Sequence, residues 1–185
     1  LAQNLSNQGF EIQALSGLAD TLFQQRKFEA VTEVLPRMVE IAPQDMRTLM
    51  VASKLDVANE NWTDAQQKLQ EILRRAPEYR PAQLLLGIVH KESGNLAQAE
   101  MYLTAVVAAA PGNAQARRTL AEIRLELNKA AEAQQALQSI LSSPEADSRS
   151  LAIAAEANML MGELDEAETL LQRAVLEDPT NVGLR

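Results

Sequence analysis

The feature that most constrains this chain is a period of 34 residues. Prolines stand at Pro43, Pro77, Pro111 and Pro179, with Pro144 one residue out of step. Blocks beginning at Ile12, Met46, Arg80, Ala114 and Ser148 align without a gap. The eighth position of the block reads Ala19, Ser53, Gly87, Ala121 and Ala155, always small. The twentieth reads Val31, Ala65, Ala99, Ala133 and Ala167, and the twenty-fourth is Leu35, Leu69, Leu103, Leu137 and Leu171. The twenty-eighth is Val39, Leu73, Val107, Leu141 and Val175. The seventeenth is Phe28, Trp62, Leu96, Ala130 and Leu164, mostly large and apolar. A fixed interval of this size marks a supersecondary unit that cannot bury its apolar face alone and must stack on its neighbours.

Each repeat reads as two antiparallel helices. Ala, Leu, Gln and Glu dominate, and these residues lose little freedom in a helix. β-branched residues are scattered and form no alternating runs, which argues against strands. The first helix takes the opening 13 or 14 positions of the block. Gly94-Asn95, Gly162-Glu163 and Asn61 mark the turn, and the second helix runs on to the proline, which cannot continue it. Asn61 and Asn95 are candidate caps for second helices, and Asp45, Asn113 and Asp147 for first helices. Within a helix, an i, i+3, i+4 stripe such as Leu69, Ile72 and Leu73 faces the core. Gly87 costs roughly 1 kcal/mol relative to alanine in a helix interior. Its place at the small eighth position explains the choice: two helix axes about 8 Å apart leave no room there for a large side chain.

Chemistry is sparse. His90 is the only histidine and there is no cysteine, so no metal site, disulfide or nucleophile triad is assembled, and no cofactor is expected. His90 reads as a packing or solvated ring. Glu163, Asp165, Glu166 and Glu168 sit at a helix start, where the dipole favours negative charge. Arg74 and Arg75 near a helix end have the matching explanation. Trp62 falls on a packing position. Formal net charge is −8 and aromatics are 3% of residues, which disfavours binding to nucleic acid or to anionic membranes. No apolar run reaches the roughly 20 residues of a membrane span. No phosphate loop or dinucleotide fingerprint is present. A non-enzymatic chain is expected.

From Ile12 to Pro179 the pattern resembles the tetratricopeptide repeat (TPR), most closely in "GELDEAETLLQRAVLEDP", Gly162 to Pro179. The resemblance implies an all-α TPR solenoid, a right-handed superhelix of about five antiparallel helix pairs with first helices lining a concave face. There are departures. The family's common aromatic at the eleventh position is replaced by Leu22, Asp56, His90, Arg124 and Asn158, Val31 stands where a small residue is usual, and Pro36 inside a second helix predicts a kink or irregular turn. The family binds ligands through the second, fifth, ninth, twelfth and thirteenth positions of first helices. In the first repeat these are Gln13, Ser16, Asp20, Phe23 and Gln24. Ser16 and Asp20 stand where the chaperone-binding carboxylate clamp has Lys and Asn, so that ligand is not expected. The partner site is placed in the middle of the groove: an apolar strip of Met50, Val57, Leu84, Ile88 and Leu125, edged by Lys54, Lys91, Arg118 and Glu122. Such a strip suits an amphipathic helix or an extended apolar peptide. The competing expectation is that these residues pack against neighbouring first helices.

A narrower stretch, Ala76 to Ala121, is similar to the TPR lipoproteins of PEP-CTERM/exosortase exopolysaccharide systems, through Tyr79-Arg80-Pro81-Ala82, "LLLG", "GNLAQAE" and "APGNAQARRTLA". That resemblance implies a periplasmic or envelope location, against a cytoplasmic alternative. The chain is expected to be one TPR segment over residues 1–185, cut from a longer protein. "LAQNLSNQ" is expected to end a preceding helix and "TNVGLR" to open a sixth repeat. Uncapped ends leave room for self-association. The expected function is a scaffold that binds a partner peptide or helix. The alternatives are an architectural spacer with no groove ligand, or a module appended to an enzyme outside this segment.

Overall fold

The computed structural model describes residues 2–143 and 146–178, with side chains from Gln8 onward. Among the described residues there are ten helices and no strand: α1 (Ala2–Gln24), α2 (Phe28–Ile41), α3 (Met46–Ala58), α4 (Trp62–Arg75), α5 (Arg80–Glu92), α6 (Leu96–Ala109), α7 (Ala114–Glu126), α8 (Ala130–Leu141), α9 (Ser148–Met161) and α10 (Leu164–Glu177). Four of the five first helices begin where the 34-residue blocks begin, at Met46, Arg80, Ala114 and Ser148.

Caps and breakers account for these boundaries. The side chains of Asp45, Asn113 and Asp147 accept hydrogen bonds from the backbone N–H of Arg47, Ala116 and Ser150 at 2.8, 3.0 and 3.0 Å, so each satisfies a donor orphaned at a helix start. The second helices α2, α4 and α6 stop two residues short of a proline. Ala42, Ala76 and Ala110, each directly before proline, have φ/ψ of −153/77, −137/80 and −133/74, outside the helical region. The proline ring clashes with a helical predecessor, so it ends the helix one residue early. Asn61 and Asn95 occupy N-cap positions as expected, but their side chains make no capping bond. Their turn is closed by backbone instead. The fifteenth position of every repeat is left-handed: Arg26, Glu60, Gly94, Asn128 and Gly162, with φ of 57, 59, 76, 59 and 81°. In four repeats the next residue's N–H then reaches back to the helix: Lys27 to the Leu22 carbonyl, Asn61 to Asp56, Lys129 to Arg124 and Glu163 to Asn158, at 2.7 to 2.9 Å. This is the bonding that ends a helix on a left-handed residue.

The residues chosen for smallness are the ones at the helix contacts. Ala19, Ser53, Ala121 and Ala155 are each 0% exposed, as are Ala65, Ala99, Ala133 and the larger Val31, and Gly87 is buried too. The Ser53 hydroxyl donates to the Leu49 carbonyl at 2.8 Å, so it sits in the core with its donor used. Leu69, Leu103 and Leu137 are fully buried, whereas Leu35 and Leu171 are half-buried. The twenty-eighth position is less buried than its apolar pattern suggests: Leu73, Val107, Leu141 and Val175 are half-buried and Val39 is exposed. Trp62 is likewise half-buried.

The chain divides into two compact units, Leu1–Ser93 and Gly94–Arg185. In the first, α1 packs on α2 and α3, α2 on α3, α3 on α4 and α5, and α4 on α5. Its core joins Ile12, Ala19, Val31, Met38, Val51 and Leu55. In the second, α6 packs on α7, α7 on α8 and α9, α8 on α9, and α9 on α10. Ala146, Leu151 and Ala174 form a core there, with Ile140, Leu141 and Leu170 against it. Each unit therefore places successive first helices side by side.

Two expectations need correction. Residues 2–8 do not end a separate helix: α1 runs unbroken from Ala2 to Gln24. No proline interrupts the chain before Pro36, and Gly9 stands alone, so nothing stops the first helix from extending backwards. The irregular turn expected at Pro36 is absent, because α2 continues through it from Phe28 to Ile41. Thr32, whose carbonyl would have been the partner of a residue-36 N–H, and Pro36 are both exposed, so the lost bond lies on the side of α2 where water can replace it. The sixth repeat read at 180–185 lies outside the described residues, as do Pro144 and Pro179.

Candidate functional site

The face on which first helices adjoin holds an open cleft in the N-terminal unit. Its volume is about 590 Å³, and it is lined by Asp20, Phe23, Gln24, Phe28, Lys54, Val57, Ala58 and Leu85. Helix periodicity assembles it. The ninth, twelfth and thirteenth positions of the repeat, Asp20, Phe23 and Gln24 on α1 and Lys54, Val57 and Ala58 on α3, fall on one side of each helix, and α3 lies beside α1. Phe28 enters from the start of α2 and Leu85 from α5.

The floor is aromatic and aliphatic. The Phe23 and Phe28 rings lie 6.2 Å apart between centroids, tilted by 53°, within the range where edge-on aromatic pairs attract. Lys54 bridges the rim. Its Nζ is 2.6 Å from the Asp20 carboxylate and 5.6 Å from the Phe23 ring centroid, so one ammonium is shared between an ion pair and a ring face. Asp20 and Lys54 cancel in charge. The cleft therefore offers a neutral apolar seat with a polar lip, a shape suited to an apolar side chain arriving on a peptide.

The nine residues expected at the partner site divide into four groups. Lys54 and Val57 line the cleft. Leu84, Ile88 and Lys91 are half-buried on α5, and Lys91 lies 3.6 Å from Glu92. Met50 and Leu125 are only 8% and 9% exposed, so they pack inside the repeats and offer a ligand almost no surface. In the C-terminal unit the face is tied by charge. Arg118 pairs with Asp147 at 2.9 Å and Glu122 with Arg149 at 2.6 Å, each joining α7 to the start of α9. Burial pushes the Asp147 carboxyl up, but hydrogen bonds from the Ser150 side chain and backbone and the Arg118 charge outweigh it, and its pKa falls below the usual value. These pairs hold neighbouring first helices together.

Sequence reasoning placed Asp20, Phe23 and Gln24 on the ligand face but put the partner site further along. The overlooked signal is compositional: two of the chain's three phenylalanines stand at Phe23 and Phe28, in a protein with 3% aromatics. His90 is buried, and burial lowers its pKa. Among the described residues no group of His, Asp or Glu is placed to hold a metal, and no helix is long and apolar enough to cross a membrane.

Comparison with known proteins decides the family. Models of the tetratricopeptide repeat match residues 51–114 and 90–155, together more than half of the chain. The chain belongs to the tetratricopeptide repeat family. A search of curated proteins returns no match. Solved structures share the fold. A thermophilic TPR protein of Thermus thermophilus superposes with a TM-score of 0.72 at 20% identity, covering 94% of this chain and 95% of the other. The pilF protein of Pseudomonas aeruginosa gives 0.83 at 14% identity, over 96% and 81%. YrrB, described as a TPR protein with an unusual peptide-binding site, gives 0.72 at 16% identity, over 92% and 88%. The fold of this TPR chain is thus an all-α TPR solenoid, and the family is in general one of protein-binding, non-catalytic scaffolds.

Proposed function

We propose that this TPR chain is an interaction scaffold whose principal seat is the cleft on α1, α2, α3 and α5, and that its ligand is a peptide segment carrying an exposed apolar side chain. One observation carries the reading: Phe23, Phe28, Val57 and Leu85 line a single open cleft, while the neighbouring charges are paired with each other. Burying an apolar side chain there is worth about 1.5–3 kcal/mol, enough to anchor a weak peptide contact. The peptide-binding description of YrrB is consistent with this use of the fold. Leu84 and Ile88, half-buried on α5, extend the apolar surface beyond the anchor. In this reading residues 1–185 serve as one stretch of TPR scaffold within a longer protein. Its setting is a bacterial envelope export system, a placement resting on the resemblance of Ala76 to Ala121. The alternative of a spacer without a groove ligand is favoured by the burial of Met50 and Leu125.

Selection of a displayed random peptide library on the immobilised chain tests the proposal. Expected are enriched peptides with a shared apolar residue, whose binding is lost in a Val57→Asp variant of unchanged helicity. Enriched peptides that bind this variant equally well, or no enrichment at all, overturn it.

A further inference from the structure

An open cleft that accepts an apolar side chain still selects among apolar side chains, and its walls set the selection. The floor of the cleft on α1, α2, α3 and α5 holds Phe23 and Phe28, both half-buried, with ring centroids 6.2 Å apart and planes tilted by 53°. Aromatic rings attract one another face to edge, beyond what burial alone gives. A third ring entering the cleft gains that attraction, whereas an aliphatic side chain gains burial only. The volume of about 590 Å³ is open enough to take a side chain of two fused rings.

The lip adds a second criterion. Asp20 and Gln24 border the same cleft and both are exposed. Lys54 donates to Oδ1 of Asp20 at 2.6 Å, and 51% of the Asp20 side chain stays exposed. A carboxylate offers about four acceptor sites, so acceptor capacity remains beside the rings. An aliphatic side chain seated there takes solvent from that acceptor and returns no hydrogen bond, which is unfavourable. A cationic side chain would meet Lys54, and an acidic one would meet Asp20. A neutral donor on the edge of a ring disturbs neither charge. The indole N–H is such a donor, and its nitrogen has no lone pair to set against the carboxylate.

We propose that the anchor this cleft takes from its peptide ligand is a tryptophan side chain, with the ring against Phe23 and Phe28 and the indole N–H donating to the acceptors at the lip, Asp20 first and Gln24 beside it. The inference rests on the cleft being the peptide seat and narrows the ligand from any apolar side chain to one. Ring floor and acceptor lip act together: the floor favours an aromatic over an aliphatic side chain, and the lip favours an aromatic that carries a donor over one that does not.

Methyl NMR titration of the full chain with four blocked amino acids tests this: N-acetyl-tryptophanamide, its 1-methylindole counterpart, N-acetyl-leucinamide and N-acetyl-argininamide. Expected are saturable shifts of the Val57 and Leu85 methyl signals with the tryptophan probe. The methylated indole keeps the rings and loses the donor, so it should bind about tenfold more weakly, and the leucine probe more weakly still. In an Asp20→Ala, Gln24→Ala double variant, whose two substituted side chains are exposed in the parent, the two indole probes should bind alike. A leucine or arginine probe that binds as tightly as the tryptophan probe overturns the inference and leaves the cleft standing as a seat. Methylation without effect in the parent, or with the same effect in the double variant, does so too. Methyl signals that none of the four probes moves overturn the inference and the seat together.

Discussion

The left-handed residue at the fifteenth position shows how one backbone demand is met by unlike residues. Glycine enters this region freely, while a side chain there costs roughly 1–2 kcal/mol. Gly94 and Gly162 avoid that cost, and Arg26, Glu60 and Asn128 do not. Glu60→Gly should therefore raise stability by about 0.5–1 kcal/mol, and Asn128→Gly by less, because Asn tolerates the conformation better. Gly94→Ala should lose about 1 kcal/mol, and the loss is one of backbone alone, since an added Cβ would meet nothing within 4 Å. Urea denaturation of the three variants checks the signs, and stabilisation by Gly94→Ala would contradict the left-handed assignment. The two glycines made their turns legible in the sequence. Asn61 marked the turn of the second repeat, though the left-handed residue there is Glu60, while the turns at Arg26 and Asn128 were not read from the sequence: Arg carries no preference that announces a positive φ, and Asn128 has only a weak one. At the ligand face, Phe23→Leu should weaken an anchored peptide by about tenfold, since it keeps apolar bulk but removes the ring that pairs with Phe28 and Lys54. Titration of a selected peptide against both proteins reads this directly.

At the scale of the helix, smallness at the contacts is the property on which packing depends. Ala99 and Ala121 are both fully buried where helices meet. Leucine at either should force the helices apart and cost about 1–3 kcal/mol, whereas leucine at the exposed Ala131 of α8 should change little. Thermal melts of the three variants decide whether position or mere added bulk matters. Charge adds a second tie. Glu100 on α6 pairs with Lys129 at 2.6 Å and Arg124 at 3.3 Å, joining α6 to the α7–α8 turn. The Lys129 hydrogen bond, with Arg124 beside it, holds the Glu100 carboxyl below its ordinary pKa against the opposing effect of burial. A carboxyl depressed in the folded state contributes stability above its unfolded pKa and loses it as pH falls through the folded one. Glu100→Gln should thus be less stable than the parent near neutral pH, with the gap closing below about pH 4. Parallel denaturation curves across that range make the comparison, and a gap independent of pH would assign the loss to packing instead of charge.

At the scale of the whole molecule, the repeat register was readable because it is written redundantly: the eighth and twenty-fourth positions say the same thing in every block. The site was less readable. A cleft is a property of side-chain depths across three or four helices, and one sequence position cannot say whether its neighbours rise around it. Met50 and Val57 share the ligand face of α3, yet one is buried and the other lines the cleft. A repeat protein draws its stability from neighbouring repeats, so protection should follow the number of sides covered. The core residues Leu69 and Ile72 of α4 and Leu151, Ala154 and Ala155 of α9 are fully buried, whereas α1 bares Phe10 and Leu18, and α10 bares Leu164 and Leu176. In dilute solution, hydrogen exchange should therefore be fastest in α1 and α10 and slowest in α4 and α9, because the terminal helices open without unfolding what they lean on. Uniform exchange in dilute solution would mean that the repeats unfold as one cooperative body.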